Sequence, residues 1–167
     1  MIKFENVVRV AAGVVALLIV APPAAVALEN KQPTAQMLKR PAADQKQHHL
    51  VLQVNTNEPA MMNLALNNAT NVAQYYKDLG EEVMIEVVTF GPGLHMLRDD
   101  TSPVKARIKA ITESTPAISF KACGNTQENM HKAENKEIPL IPEAKVVKSG
   151  VVRVMELQER GWTYVKP

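Results

Sequence analysis

Residues 49–90 read HLVLQVNTNEPAMMNLALNNATNVAQYYKDLGEEVMIEVVTF, a strand, a helix and a second strand in direct succession. The opening run from His49 to Val54 is apolar and ends at the turn-prone Asn55-Thr56-Asn57, as a buried strand does. Pro59 suits the first turn of a helix, where its missing N–H would have no partner anyway. From there Met61, Leu64, Ala65, Val72, Ala73, Tyr76 and Leu79 recur at helical steps until Gly80 supplies a C-cap. Val83 to Phe90 is β-branched and apolar, a second strand, and Gly91-Pro92-Gly93 stops it in a loop that neither strand nor helix absorbs comfortably.

The same alternation runs on toward the C-terminus. Ser102-Pro103 reads as the N-cap and first residue of a helix with Val104, Ile108 and Ile111 on one face, closed by Thr115-Pro116. Residues 117–121 predict a third strand that leads into Ala122-Cys123-Gly124-Asn125-Thr126. Asn125 and Glu128 have capping-box spacing, which predicts a short helix through Met130 and Lys132. Two prolines make residues 138–142 a loop, Lys145-Val146-Val147 a brief strand, and Ser149 the cap of a helix carrying Val151, Val154, Met155 and Leu157. Residues 162–165 form a last strand after Gly161. Strands alternating with helices imply right-handed βαβ units, and so an α/β domain over residues 48–167 with a mostly parallel sheet and helices on both faces.

Ahead of this domain, Lys3 and Arg9 precede an apolar run from Val10 to Ala21, then Pro22-Pro23 and Ala25-Val26-Ala27. That is the layout of a secretory signal peptide over residues 1–27, too short between its flanks for a permanent membrane anchor, which needs about 20 apolar residues. The expectation is an exported, periplasmic or secreted chain that starts near Leu28 and leaves the membrane after cleavage. Residues 28–47 are Lys, Gln, Pro and Ala without apolar period, and read as a flexible leader. Loss of Lys3, Glu5 and Arg9 takes the formal charge from +2 to +1. Such a balance lacks the basic excess that phosphate-backbone binding needs, so nucleic acid is not expected as a partner.

In an open parallel sheet, loops and helix N-termini converge at the C-terminal ends of the strands. The candidate loops are Asn55 to Pro59, Gly91 to His95 and Cys123 to Thr126. Cys123 is the single cysteine, so no intramolecular disulfide is possible and the thiol would travel unpaired into an oxidising compartment. Between a strand end and a helix N-terminus, backbone N–H groups of Gly124, Asn125 and Thr126 and the helix dipole would favour its thiolate, a nucleophile or sulfur carrier. Equally, a cysteine there can be a small buried hydrophobe. His95 could relay a proton or contact an anion, or be a loop histidine. Gly91 and Gly93 could admit a ligand close to the backbone, or form ordinary turns. Asn63, Asn67, Asn68 and Asn71 line the first helix as a stripe facing a partner, the site edge or solvent. No phosphate-binding glycine motif, nucleophile elbow or metal-ligand spacing is present, so neither cofactor nor metal is expected; His48-His49, His95-Met96 and Met130-His131 do not have one.

The order of elements, with Asn63-Leu64-Ala65-Leu66-Asn67-Asn68, Phe90-Gly91-Pro92-Gly93, Ala122-Cys123-Gly124-Asn125-Thr126 and Gly161-Trp162-Thr163-Tyr164, resembles the DsrE/DsrF-like family, small α/β proteins that include sulfur-relay subunits. The resemblance spans residues 48–167. It implies a three-layer α/β/α domain of flavodoxin-like layering with a five-stranded parallel sheet, assembly into trimers or hexamers, and a persulfide on Cys123 exchanged with sulfur donor and acceptor proteins. Two functions stand against each other: sulfane-sulfur handling through Cys123, and a noncatalytic oligomeric binding module in which Cys123 only packs.

Overall fold

The computed structural model describes residues 47–167; the expected signal peptide over residues 1–27 and all but the last residue of the expected leader over residues 28–47 lie outside the described residues. Five strands, β1 (His48–Val54), β2 (Val83–Thr89), β3 (Ile118–Cys123), β4 (Ala144–Val147) and β5 (Thr163–Val165), alternate with four helices, α1 (Pro59–Leu79), α2 (Lys105–Ser114), α3 (Gly124–Glu134) and α4 (Gly150–Glu159). All neighbouring strands pair in parallel, in the order β4-β3-β2-β1-β5. The fold is the expected α/β domain with a five-stranded parallel sheet.

Topology follows from handedness. From β1 to β4 each crossover steps one strand in the same direction, so right-handed connections stack α1, α2 and α3 on one face. The return from β4 to β5 crosses the whole sheet and places α4 alone on the other. Side-chain alternation fills both layers: Leu50, Leu52 and Val54 meet Met62, Leu66 and Ile108 on the first face, whereas Val51 and Val88 meet Val154 and Leu157 on the second.

Several elements differ from the sequence reading in ways that packing explains. The buried stripe of α1 is Met62, Ala65, Leu66, Ala69 and Ala73, while Leu64 and Leu79 are exposed. Both sets have helical spacing, and the alanine-rich one lets the helix sit closer to the sheet. Met61 and Met155, part of the apolar patterns of their helices, are not core residues, and neither is Met84 of β2: Met84 is 46% and Met155 54% exposed, and Met61 is half-buried. Met84 points to the α4 side, which one helix cannot cover completely, and α4 itself buries Val154 and Leu157 in place of Val151 and Met155.

Local start signals also shift. Helix α2 begins at Lys105, because the Ser102 hydroxyl donates to Met96 O at 2.6 Å and accepts from Val104 N–H at 3.3 Å in a turn of its own. Gly91-Pro92-Gly93 opens a 3-10 turn that continues to Met96. At α3 no capping box forms: the helix starts at Gly124, so Asn125 is already inside it and Glu128 pairs with Lys132 at 2.6 Å. The Ser149 cap of α4 is present, its hydroxyl accepting from Val152 N–H at 3.5 Å.

Candidate functional site

Cys123 ends β3 and occupies the N-cap position of α3. Its extended backbone has to turn into a helix at once, so the free N–H groups of the first helical turn gather around its side chain. Because β4 pairs beside β3, with Cys123 opposite Val147, the chain leaving β4 brings the N-terminus of α4 to the same point. Gly150 is essential there. A Cβ at this position would lie 2.9 Å from the Phe90 ring and 3.2 Å from Cys123 Cβ, so only glycine lets α4 begin this close.

The sulfur therefore sits between two helix N-termini, and the residue is only 4% exposed. Burial pushes the thiol up, but the Thr126 hydroxyl and the N–H groups of Gly150, Thr126 and Asn125 together outweigh it and hold the pKa below the ordinary value. The Asn125 N–H is shared, since it also donates to Lys148 O at 3.1 Å. Thr126 is oriented from outside: Gly91 N–H donates to its Oγ1 at 2.9 Å, which turns the hydroxyl proton toward the sulfur.

The structure thus joins Gly91, Gly124, Asn125 and Thr126 to Cys123, but not the rest of the candidate set. Gly93 has a packing role: a Cβ on it would fall 2.1 Å from Val54 O, so it serves the close approach of the 3-10 turn to β1. Asn55 lines a separate recess with Gln53, Met61 and Lys166. His95 pairs through Nδ1 with Thr101 Oγ1 at 2.8 Å and looks into an open cavity of about 390 Å³ shared with Asn57, Gly91, Thr126 and Asn129. The Thr126 hydroxyl, which accepts from Gly91 N–H and reaches the thiol, links that cavity with Cys123.

The asparagine stripe divides in two. Asn63 and Asn67 present their side-chain oxygens to Arg107 of α2, the first at 2.8 Å, so they tie α1 to α2. Asn68 and Asn71 line a groove of about 480 Å³ with Val72, Tyr75, Tyr76, Thr163 and Val165, away from the cysteine. The sequence reading missed Gly150, visible only as a small residue after a cap, and the charge cluster on the face that Cys123 shares with Lys121. There Glu86 accepts from Arg153 Nε at 2.9 Å and from its terminal nitrogen at 2.6 Å, with Lys121 Nζ at 3.9 Å. Desolvation lowers the Lys121 pKa, against the opposing pull of Glu86.

Among the described residues no group of three or more His, Cys, Asp or Glu side chains could hold a metal ion, and no helix is long and apolar enough to cross a membrane. No family model matches the chain, and no curated protein matches it. Among solved structures the chain is similar to MTH1491, a protein of unknown function from Methanobacterium thermoautotrophicum, at 29% identity and a TM-score of 0.60, over 72% of this chain and 99% of that one.

Proposed function

We propose that this protein is an exported carrier of sulfane sulfur, in which the Cys123 thiolate takes up one sulfur atom, holds it as a persulfide and hands it on. The observation that carries this reading is the thiol itself, the chain's single cysteine, which sits at the meeting point of two helix N-termini with its pKa held below the ordinary value although it is buried. The resemblance to the DsrE/DsrF-like family supports the same chemistry.

The chemistry balances without an external oxidant. Cys123 Sγ, as thiolate, attacks the outer sulfur of a donor persulfide; a new S–S bond forms, the donor's S–S bond breaks, and its electron pair leaves on the donor thiolate. An acceptor thiolate then attacks the outer sulfur of the Cys123 persulfide and restores the Cys123 thiolate. Through both steps, negative charge on sulfur is stabilised by Thr126 and by the N–H groups of Asn125, Thr126 and Gly150. Export by residues 1–27 and assembly into trimers or hexamers belong to the same proposal.

A noncatalytic binding or assembly module is the competing reading, favoured by the 4% exposure of Cys123 and by the close packing of Gly150 and Phe90 around it. One measurement separates the two. After incubation with a sulfane donor such as inorganic polysulfide, intact mass is expected to rise by one sulfur on the wild-type chain and not on Cys123→Ser. A wild-type chain that gains no sulfur supports the module.

A further inference from the structure

A sulfur carrier must admit its partners, yet Cys123 is 4% exposed. Of the two helices whose first turns flank the sulfur, α4 is anchored by buried Gly150, Val154 and Leu157, whereas α3 has no buried residue at all. Met130, half-buried against the main core, is the one apolar side chain of α3 packed there, and the other contacts that hold the helix are polar. Arg98, itself 1% exposed, donates to Glu134 Oε1 and Oε2 at 2.5 and 2.9 Å and reaches Met130 Sδ at 3.7 Å. The ties to neighbouring elements nearer the start of the helix are single hydrogen bonds: Asn125 N–H to Lys148 O at 3.1 Å, Gly91 N–H to Thr126 Oγ1 at 2.9 Å and Gln127 to Ile138 O at 2.9 Å. By contrast, the segment that follows α3 is fixed to the loop carrying Arg98, through Asp99 N–H to Pro139 O and Ile141 N–H to Leu97 O.

We infer that α3 is a gate over Cys123: residues 124–134 open locally while the sheet and α4 stay folded, and the Arg98–Glu134 pair is the latch that sets how often they do. A helix with no fully buried residue, and only Met130 packed against the core, belongs to the low-stability end of a fold, and the bidentate Arg98–Glu134 pair is the charged tie among its contacts that most affects its opening equilibrium. The latch can be weakened alone. Glu134→Gln leaves Arg98 paired with Asp100, at 2.9 and 2.8 Å, so no buried cation is orphaned.

The inference rests on the reading of Cys123 as the reacting thiol for its purpose, but not for its test. The alkylation rate of Cys123 by iodoacetamide at neutral pH is measured together with amide hydrogen exchange in the wild type, in Glu134→Gln and in Glu128→Gln. The last alters the exposed pair of Glu128 and Lys132, which lies wholly within α3. Expected is an alkylation rate raised about tenfold in Glu134→Gln and unchanged in Glu128→Gln, with protection lost across residues 124–134 and kept in β1, β2 and β3. An unchanged rate, a rate that rises equally in both variants, or protection lost from sheet and α3 together overturns the gate. Sulfur uptake is scored separately on the same proteins: faster alkylation without uptake removes the sulfur reading and leaves the gate, and uptake with an unchanged alkylation rate does the reverse.

Discussion

Cys123 was visible in the sequence as a lone thiol between a strand and a helix, and that placement holds to the residue. What surrounds it was only half visible. Gly124, Asn125 and Thr126 follow it in the chain, so any helix starting there turns their N–H groups toward it, whereas Gly91 and Gly150 arrive from 32 and 27 positions away in sequence. Two substitutions test this set. Thr126→Val deletes the hydroxyl that favours the thiolate, so the Cys123 pKa is expected to rise and the alkylation curve to move to higher pH; an unmoved curve would show the hydroxyl has no influence. It also strands the Gly91 N–H, at a cost of about 1–3 kcal/mol in denaturant unfolding. Gly150→Ala forces a Cβ against Phe90 and Cys123, so a loss of about 1–3 kcal/mol is expected, again with a raised thiol pKa as α4 backs away. A neutral Gly150→Ala would mean that the junction yields without strain.

At the scale of elements, type was legible and rotation was not. Helix α1 starts at Pro59 and ends at Gly80, in the left-handed conformation at φ +69, both as their chemistry demands. Its buried face could not be chosen between two stripes of equal spacing until the sheet was in place. Arg98 was overlooked for a related reason: beside Asp99 and Asp100 it looks like part of a solvated charge run, and only the return of α3 and the bridge from Arg98 to Leu140 bury it. Its partners give the molecule an acid sensitivity. The Arg98 guanidinium, helped by Lys136, holds Asp100 well below the usual carboxylate range and Glu134 down to about 2. Both carboxyls bind protons less tightly folded than unfolded, so their contribution is complete above their unfolded values near 4 and is lost as pH falls toward 2. Thermal unfolding between about pH 5 and 2 is expected to show this loss, and Glu134→Gln to lose less over the range; equal slopes would mean the latch adds nothing.

For the molecule as a whole, the exposed apolar side chains of the described residues include Tyr75 and Val165 at the groove beside α1 and Val151, Val152 and Met155 on α4. If the proposed assembly is right, light scattering on the chain from Leu28 onward gives a mass of three or six copies at micromolar concentration, and a monomer there removes that part of the proposal. The sequence by itself determined the order and type of the elements, the parallel sheet and the thiol's place at a strand end. These depend on periodicity, caps and crossover handedness, which act over a few residues or within one βαβ unit. Only the tertiary structure decided that β4 lies next to β3, that α4 crosses to the empty face, and that Arg98 is buried under α3. Each joins residues that have no local relation, and which of them meet is settled by competition among many packings for one core. The two helix N-termini around Cys123 are one result of that competition, and the pairing of buried Arg98 with Glu134 at the end of α3 is another.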